Sequence, residues 1–209
     1  MTGVDDVGQV SIQLMIGLIL AGGRSSRFGG VDKTFIPLDG KPLLAHVLAR
    51  LAPQVDSLAI SSNRPPSCFA SFGLPVIADV LEGVNGPLAS VYAGLTTWPD
   101  HELLTVAVDL PFLPWDLVRR LKQGGQGAAC AFATDGARHA LAVWWAPNVS
   151  LELRDYLASG GRSLKQWLDR HGQPIGFPPQ ADADVAFNIN TPEDLVLAED
   201  RIRKIQVTA

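Results

Sequence analysis

The sequence predicts an α/β fold: a three-layer, open and mostly parallel sheet with helices on both faces. Short apolar runs alternate along the chain with segments whose apolar residues recur at helical spacing, joined by short connections. A glycine-rich turn follows the first apolar run directly. Polar residues then stand at the ends of several runs, the edge where ligands of such sheets gather.

The first strand is predicted over residues 15–20, where Ile16, Leu18, Ile19 and Leu20 form an apolar run too short for a solitary helix. Residues 34–38 lead to an Asp39-Gly40 turn. Pro42 then suits the first turn of a helix continued by Leu43, Leu44, Val47, Leu48 and Leu51. Strands are expected over 58–62 and 76–78, and a helix over 87–97 with Leu88, Val91, Tyr92 and Leu95 on one face. Residues 103–108 read as a buried central strand ending at Asp109. Beyond it come a helix over 114–122, strands over 128–133 and 140–145, and helices over 148–157 and 163–170. A last strand is expected over 185–188. Thr191 is a good N-cap for a final helix, with Pro192 at the first helical position and Asp194 completing an acidic variant of the capping box.

The 209 residues suit one domain, residues 14–209, preceded by a polar, aperiodic extension over 1–13 that is expected to be dispensable. A chain of this size buries roughly 70% of its unfolded surface, so neither metals nor disulfides are needed for stability. Cys68 and Cys130 match no metal or redox spacing and read as buried thiols suited to a reducing cytoplasm. The four histidines show no ligand spacing. A net charge of −4 argues against general nucleic-acid binding. No Lys or Arg precedes Arg24, and Asp5 and Asp6 sit where a signal peptide needs positive charge. No run approaches the ~20 apolar residues of a membrane span. The expectation is a cytoplasmic protein that binds neither nucleic acid nor membrane.

The loop from Ala21 to Lys33 has the composition of a phosphate-binding loop. Gly22 and Gly23 permit close backbone approach to a ligand, and Arg24, Arg27 and Lys33 bring three cations into one turn. Exposed N–H groups, guanidinium and ammonium are what a triphosphate requires. The loop matches neither the dinucleotide fingerprint G-x-G-x-x-G nor the Walker pattern, because Lys33 follows Asp32 rather than a glycine. Ser61 and Asn63 after the second strand, Asp79 after the third and Asp109 after the central strand converge on the same edge. Asp109 lies too far from Pro114 to cap the helix there. A carboxylate in this place suits Mg²⁺, a hard cation that prefers oxygen ligands.

Leu20-Ala21-Gly22-Gly23 with R-x-G-G-x-D-K through Lys33, Gly86-Pro87-Leu88-Ala89, Val108-Asp109-Leu110-Pro111-Phe112 and Asn188-Ile189-Asn190-Thr191-Pro192-Glu193-Asp194-Leu195 resemble one signature. It is that of the nucleotidyltransferase family that includes the molybdenum cofactor guanylyltransferases, and it spans nearly the whole chain. The resemblance implies a Rossmann-like sheet of the nucleotide-diphospho-sugar transferase type. It also implies an enzyme that transfers GMP from GTP to molybdopterin. GTP and molybdopterin would be its partners, with molybdoenzyme maturation proteins beyond them. By the same resemblance Leu20, Ala21, Gly22 and Gly23 use backbone groups on the nucleotide, and Asp79 helps recognise guanine. Asp109 holds Mg²⁺ and contacts the phosphates, Lys33 and Arg27 stabilise triphosphate charge, and Asn188, Asn190 and Thr191 bind the acceptor.

Several assignments stay open. Ser61 stands where the family often has asparagine, so Asn63 is the alternative there. Ser90 replaces the usual glycine after Ala89. Asp32 is either a partner of Arg27 or a site residue, and Arg162 is either an acceptor contact or a solvated charge. Trp144, Trp145 and Trp167 either stack on a pterin or belong to the core. The competing functions are transfer from CTP or to a sugar phosphate, and a non-catalytic nucleotide-binding accessory protein.

Overall fold

The computed structural model describes residues 13–22, 28–81, 83–84, 86–136 and 138–208. All but the last residue of the expected extension lies outside them, as do Gly23, Arg24 and Arg27. Seven strands form one sheet: β1 (Met15–Leu20), β4 (Ser57–Ser61), β5 (Val76–Ile77), β6 (Glu102–Ala107), β7 (Cys130–Thr134), β8 (Arg138–Trp145) and β9 (Gly172–Gly176), in the order β5-β4-β1-β6-β8-β7-β9. All neighbours are parallel except β8, which is antiparallel to both β6 and β7. A small hairpin, β2 (Pro37–Leu38) with β3 (Lys41–Pro42), turns through Asp39 and Gly40 at φ of 49° and 74°. Two consecutive positive φ values are what a tight hairpin turn demands.

Register places the strand ends level. Leu20 lies opposite Ser61 on one side and Ala107 on the other, and Ser61 opposite Ile77. The chain therefore leaves β1, β4, β5 and β6 along one edge. Antiparallel β8 brings Leu141 to the same edge, because Ala142 pairs with Val106 near the end of β6.

Alternation along β1 feeds two cores. Met15 and Ile19 join Leu44, Val47, Leu51, Leu117 and Leu121 beneath α1 (Leu43–Leu51) and α3 (Leu117–Gly124). Ile16 and Leu18 join Leu88, Val91, Leu95, Leu153, Trp167 and Leu168 beneath α2 (Pro87–Thr97), α4 (Ser150–Ala158) and α5 (Leu164–His171). Gly94 lets α2 press onto the sheet: a Cβ there would meet Leu18 at 2.8 Å and Leu103 at 2.9 Å. A third cluster, including Ile36, Leu38, Leu43, Phe112 and Ile189, seats α6 (Pro192–Thr208) against the hairpin through Ala198.

The structure departs from the sequence expectations at five places. Residues 185–188 are not a strand; the side chain of Asp184 accepts from the Ala186 N–H at 2.9 Å, and the Asp184 N–H donates to the Phe112 carbonyl at 2.7 Å. The remaining parallel strand is β9, whose Gly172 and Pro174 disguised it. α1 begins at Leu43 and α3 at Leu117, each later than its flanking proline suggested. Cys130 is buried, and burial pushes its thiol up to about 12, but Cys68 is exposed; both are free. Among the described residues no helix is long and apolar enough to cross a membrane.

Candidate active site

The level strand ends open onto a cavity of about 490 Å³. Leu20, Ala21 and Gly22 line it at the end of β1, Asn63 beyond β4, Asp79 beyond β5, and Ala107, Val108 and Asp109 at the end of β6. The start of α2 adds Gly86, Pro87 and Ser90, and β8 adds Leu141. The turn after the glycine loop supplies Asp32, Lys33 and Thr34.

That turn is held by Asp32. One carboxylate oxygen accepts the Thr34 N–H at 2.9 Å, capping the single 3₁₀ turn Lys33–Phe35. The other lies 3.0 Å from the Arg64 guanidinium Nε. Asp32 is thereby 8% exposed, and Arg64 is a partner that the sequence reading did not foresee. The fixed turn aims Lys33 into the cavity. Its ammonium donates to Asp109 Oδ2 at 2.7 Å and to Asn190 Oδ1 at 2.6 Å. Three segments far apart in sequence thus meet at one cation.

Asp109 is 7% exposed, and its backbone carbonyl accepts the Ile189 N–H at 3.0 Å. This bond draws the C-terminal loop across the end of β6. Asn190 is steadied in turn by Asp194, which accepts the N–H groups of Asn190 and Thr191, both at 2.9 Å. The Thr191 hydroxyl accepts the Asp194 N–H at 3.2 Å, completing the capping box. Desolvation raises the Asp194 carboxyl. The bonds to Asn190 and Thr191 and the nearby Lys33 charge outweigh it and hold the group below the ordinary carboxylate range.

At the other end of the cavity, Asn63 and Asp79 are doubly bonded. The Asn63 carboxamide donates to Asp79 Oδ2 and accepts the Asp79 N–H, each at 2.9 Å, while the Ser90 hydroxyl donates to Asp79 Oδ1 at 2.9 Å. Of the two polar residues expected after the second strand, Asn63 lines the cavity. Ser61 is buried behind it, its hydroxyl without a partner and its carbonyl accepting the Ala21 N–H at 3.0 Å.

The other residues left open make contacts within the fold. Arg162 donates to the carbonyls of Leu157 and Gly161, which closes the loop after α4. Trp144, Trp145 and Trp167 are core residues at 5%, 0% and 1% exposure. Trp145 donates to the Thr105 hydroxyl at 2.9 Å, and Trp167 stacks on His171. Asn188, Asn190 and Thr191 are not among the residues that line the cavity, and of the three Asn190 reaches it through its bond to Lys33. Gly86 and Pro87 were legible as a motif, whereas Leu141 carried no signal.

Among the described residues, no group of three or more His, Cys, Asp or Glu side chains could hold a metal. Asp109 nevertheless fits Mg²⁺. Its Oδ1 is buried without a hydrogen-bond partner, and Mg²⁺ bound beside phosphates characteristically takes one or two carboxylates.

An open α/β sheet whose strand-end cavity pairs a lysine with an aspartate, Lys33 with Asp109, is a site suited to phosphoryl groups. The chain belongs to the MobA-like NTP transferase domain family, whose model matches residues 17–175, and is accordingly a nucleotidyltransferase. It is 44% identical over 196 residues to the molybdenum cofactor guanylyltransferase of Cereibacter sphaeroides, covering 91% of this chain and 98% of the relative. It is 42% identical over 189 residues to the enzyme of that name from Yersinia pestis (strain Pestoides F), covering 90% and 96%. Among solved structures, molybdopterin-guanine dinucleotide biosynthesis protein A from Archaeoglobus fulgidus shares the fold with a TM-score of 0.74 at 23% identity, covering 90% of this chain and 99% of that one.

Proposed function

We propose that this enzyme transfers GMP from GTP to molybdopterin, releasing pyrophosphate and forming the guanine dinucleotide form of the molybdenum cofactor. The observation that carries the reading is the meeting of Lys33, Asp109 and Asn190 at one end of the cavity. The similarity to guanylyltransferases over nine-tenths of the chain supports the choice of base and acceptor.

In the reaction, an anionic oxygen of the acceptor's terminal phosphate attacks the α-phosphorus of GTP. The new P–O bond forms as the bond to the bridging oxygen breaks, and that oxygen leaves on pyrophosphate with the electron pair. The nucleophile is already charged, so no general base is needed. Positioning and electrostatics carry the catalysis. Lys33 stabilises charge on the triphosphate, with Arg27 assigned the same task. Leu20, Ala21 and Gly22, with Gly23 after them, present backbone groups to the nucleotide, and Asp79, beside Asn63, accepts from the guanine N–H edge. Asp109 would hold Mg²⁺, which would supply neutralisation of phosphate charge. Asn190, bonded to Lys33, is assigned to the acceptor together with Asn188 and Thr191. Residues 14–209 carry the activity, in the cytoplasm, and the product passes to proteins that mature molybdoenzymes.

The test is pyrophosphate release with Mg²⁺, molybdopterin and each of GTP, CTP, ATP and UTP. GTP-dependent release is expected. Equal or preferential use of CTP rejects the guanylyl reading, and binding without release points to an accessory protein.

A further inference from the structure

Asp79 is gripped by two residues of unequal rigidity. Asn63 stands on an exposed loop after β4, whereas Ser90 lies within α2, whose hydrogen-bonded backbone fixes its position. Both oxygens of the Asp79 carboxylate are engaged, Oδ2 by the Asn63 carboxamide and Oδ1 by the Ser90 hydroxyl, each at 2.9 Å.

We propose that Ser90 is a specificity-determining positioning residue, whose hydroxyl locks the Asp79 carboxylate in the orientation that accepts guanine. The proposal rests on the guanylyl reading above and assigns its base selection to a residue beyond Asp79. An ionised carboxylate accepts about four hydrogen bonds, two at each oxygen. Asn63 and Ser90 use one position on each, so one remains on each oxygen. Guanine offers two adjacent donors, N1–H and N2–H, which match such a pair. Cytosine offers the acceptors O2 and N3 and a single amino group. A carboxylate free to rotate could turn one oxygen to that amino group and lose discrimination. A carboxylate held before the nucleotide arrives gives up little freedom on binding and keeps its acceptors paired for guanine. A glycine at position 90, the usual form in the resembling family, has no donor to offer and would leave the grip to the exposed Asn63 alone.

The experiment measures calorimetric Kd values for GTP and CTP with Mg²⁺ on the full-length chain, comparing the unmodified protein with Ser90→Ala, Ser90→Thr and Asp79→Ala. Alanine is a better helix former than serine, so Ser90→Ala keeps α2 intact. It is expected to reduce the preference for GTP over CTP about five- to tenfold, by weakening GTP while CTP binds as well as before or more tightly. Ser90→Thr, which retains the donor, restores the preference to within about twofold of the unmodified protein. Equal weakening of both nucleotides by Ser90→Ala marks a merely structural role and overturns the proposal, as does a Ser90→Thr protein that behaves like Ser90→Ala. If Asp79→Ala erodes the preference and Ser90→Ala does not, the guanylyl reading stands and the assignment of Ser90 falls. If the unmodified protein binds GTP and CTP equally, the guanylyl reading itself fails, and the role of Ser90 with it.

Discussion

At the end of the cavity proposed to hold the phosphates, Lys33 and Asp109 form an ion pair with side chains 17% and 10% exposed, joined by Asn190 from the far end of the chain. At the end proposed to hold the base, Asn63 and Ser90 donate as neutral groups to Asp79, and Asn63 faces solvent. Charges act more strongly where water is excluded, and salt screens them less there. On the proposed function, the first end therefore suits catalysis, where field strength sets the barrier, and the second suits selection, which needs geometry more than field. Substitutions at the two ends should consequently fail in different ways.

The largest expected effect is that of Asp109→Asn. It preserves volume and an acceptor for Lys33 but removes the charge that Mg²⁺ requires, so turnover with GTP should fall about a hundredfold or more. Melting temperature should change little. Turnover above a few percent at saturating Mg²⁺ would remove Asp109 from the metal site. Lys33→Ala should lower kcat/KM by about ten- to a hundredfold for GTP and CTP alike, because an ammonium on phosphates does not sense the base. A change in the GTP to CTP ratio in this variant would break the division between the two ends.

Asp79→Ala should do the reverse. The unmodified enzyme is expected to prefer GTP over CTP by at least roughly a hundredfold, and the variant to retain less than about a tenth of that ratio at nearly normal kcat for GTP. Parallel nucleotide titrations in steady-state kinetics decide it; an unchanged ratio would free Asp79 of base recognition.

The smallest effect lies behind Asn190. Asp194→Ala removes the acceptor for two N–H groups at the start of α6 and should cost about 1 kcal/mol, or roughly 2–4 °C in Tm. Its carboxyl titrates lower in the folded chain than in the unfolded one. The stabilisation is therefore complete above the ordinary carboxylate range and is lost as pH falls through the folded value. The Tm difference between the two proteins should be constant from about pH 8 to about pH 5 and shrink below about pH 4. A difference that persists unchanged in acid would mean that the charge contributes nothing.

Much of this fold was legible because its local signals agree. β1, α2 and the capping box at Thr191 fall where periodicity and cap chemistry place them. β9 was hidden for a physical reason. As an edge strand pairing only with β7 it leaves much of its length exposed, so Gly172, Gln173 and Pro174 serve where a central strand needs apolar residues. Residues 185–188 misled for the opposite reason. Val185 is 1% exposed because the C-terminal loop packs over Phe112 and the end of β6, and burial by a loop looks in sequence like burial by a sheet.

The candidate site divides along the same line. Glycines, Lys33, Asp79 and Asp109 could be placed at one edge from sequence, because strand-end position is a local property and the parallel topology levels the ends. Pairings could not be. That Asp32 meets Arg64, that Asn63 rather than Ser61 reaches the cavity, and that Lys33 is shared by Asp109 and Asn190 are contacts between separate segments. Residue type and spacing state what a side chain can bond, which is why the sequence by itself determined the class of chemistry at this edge. Which partner each side chain meets depends on register and on the path of the C-terminal loop. Those are set by packing across the whole sheet, so only the tertiary structure decided them.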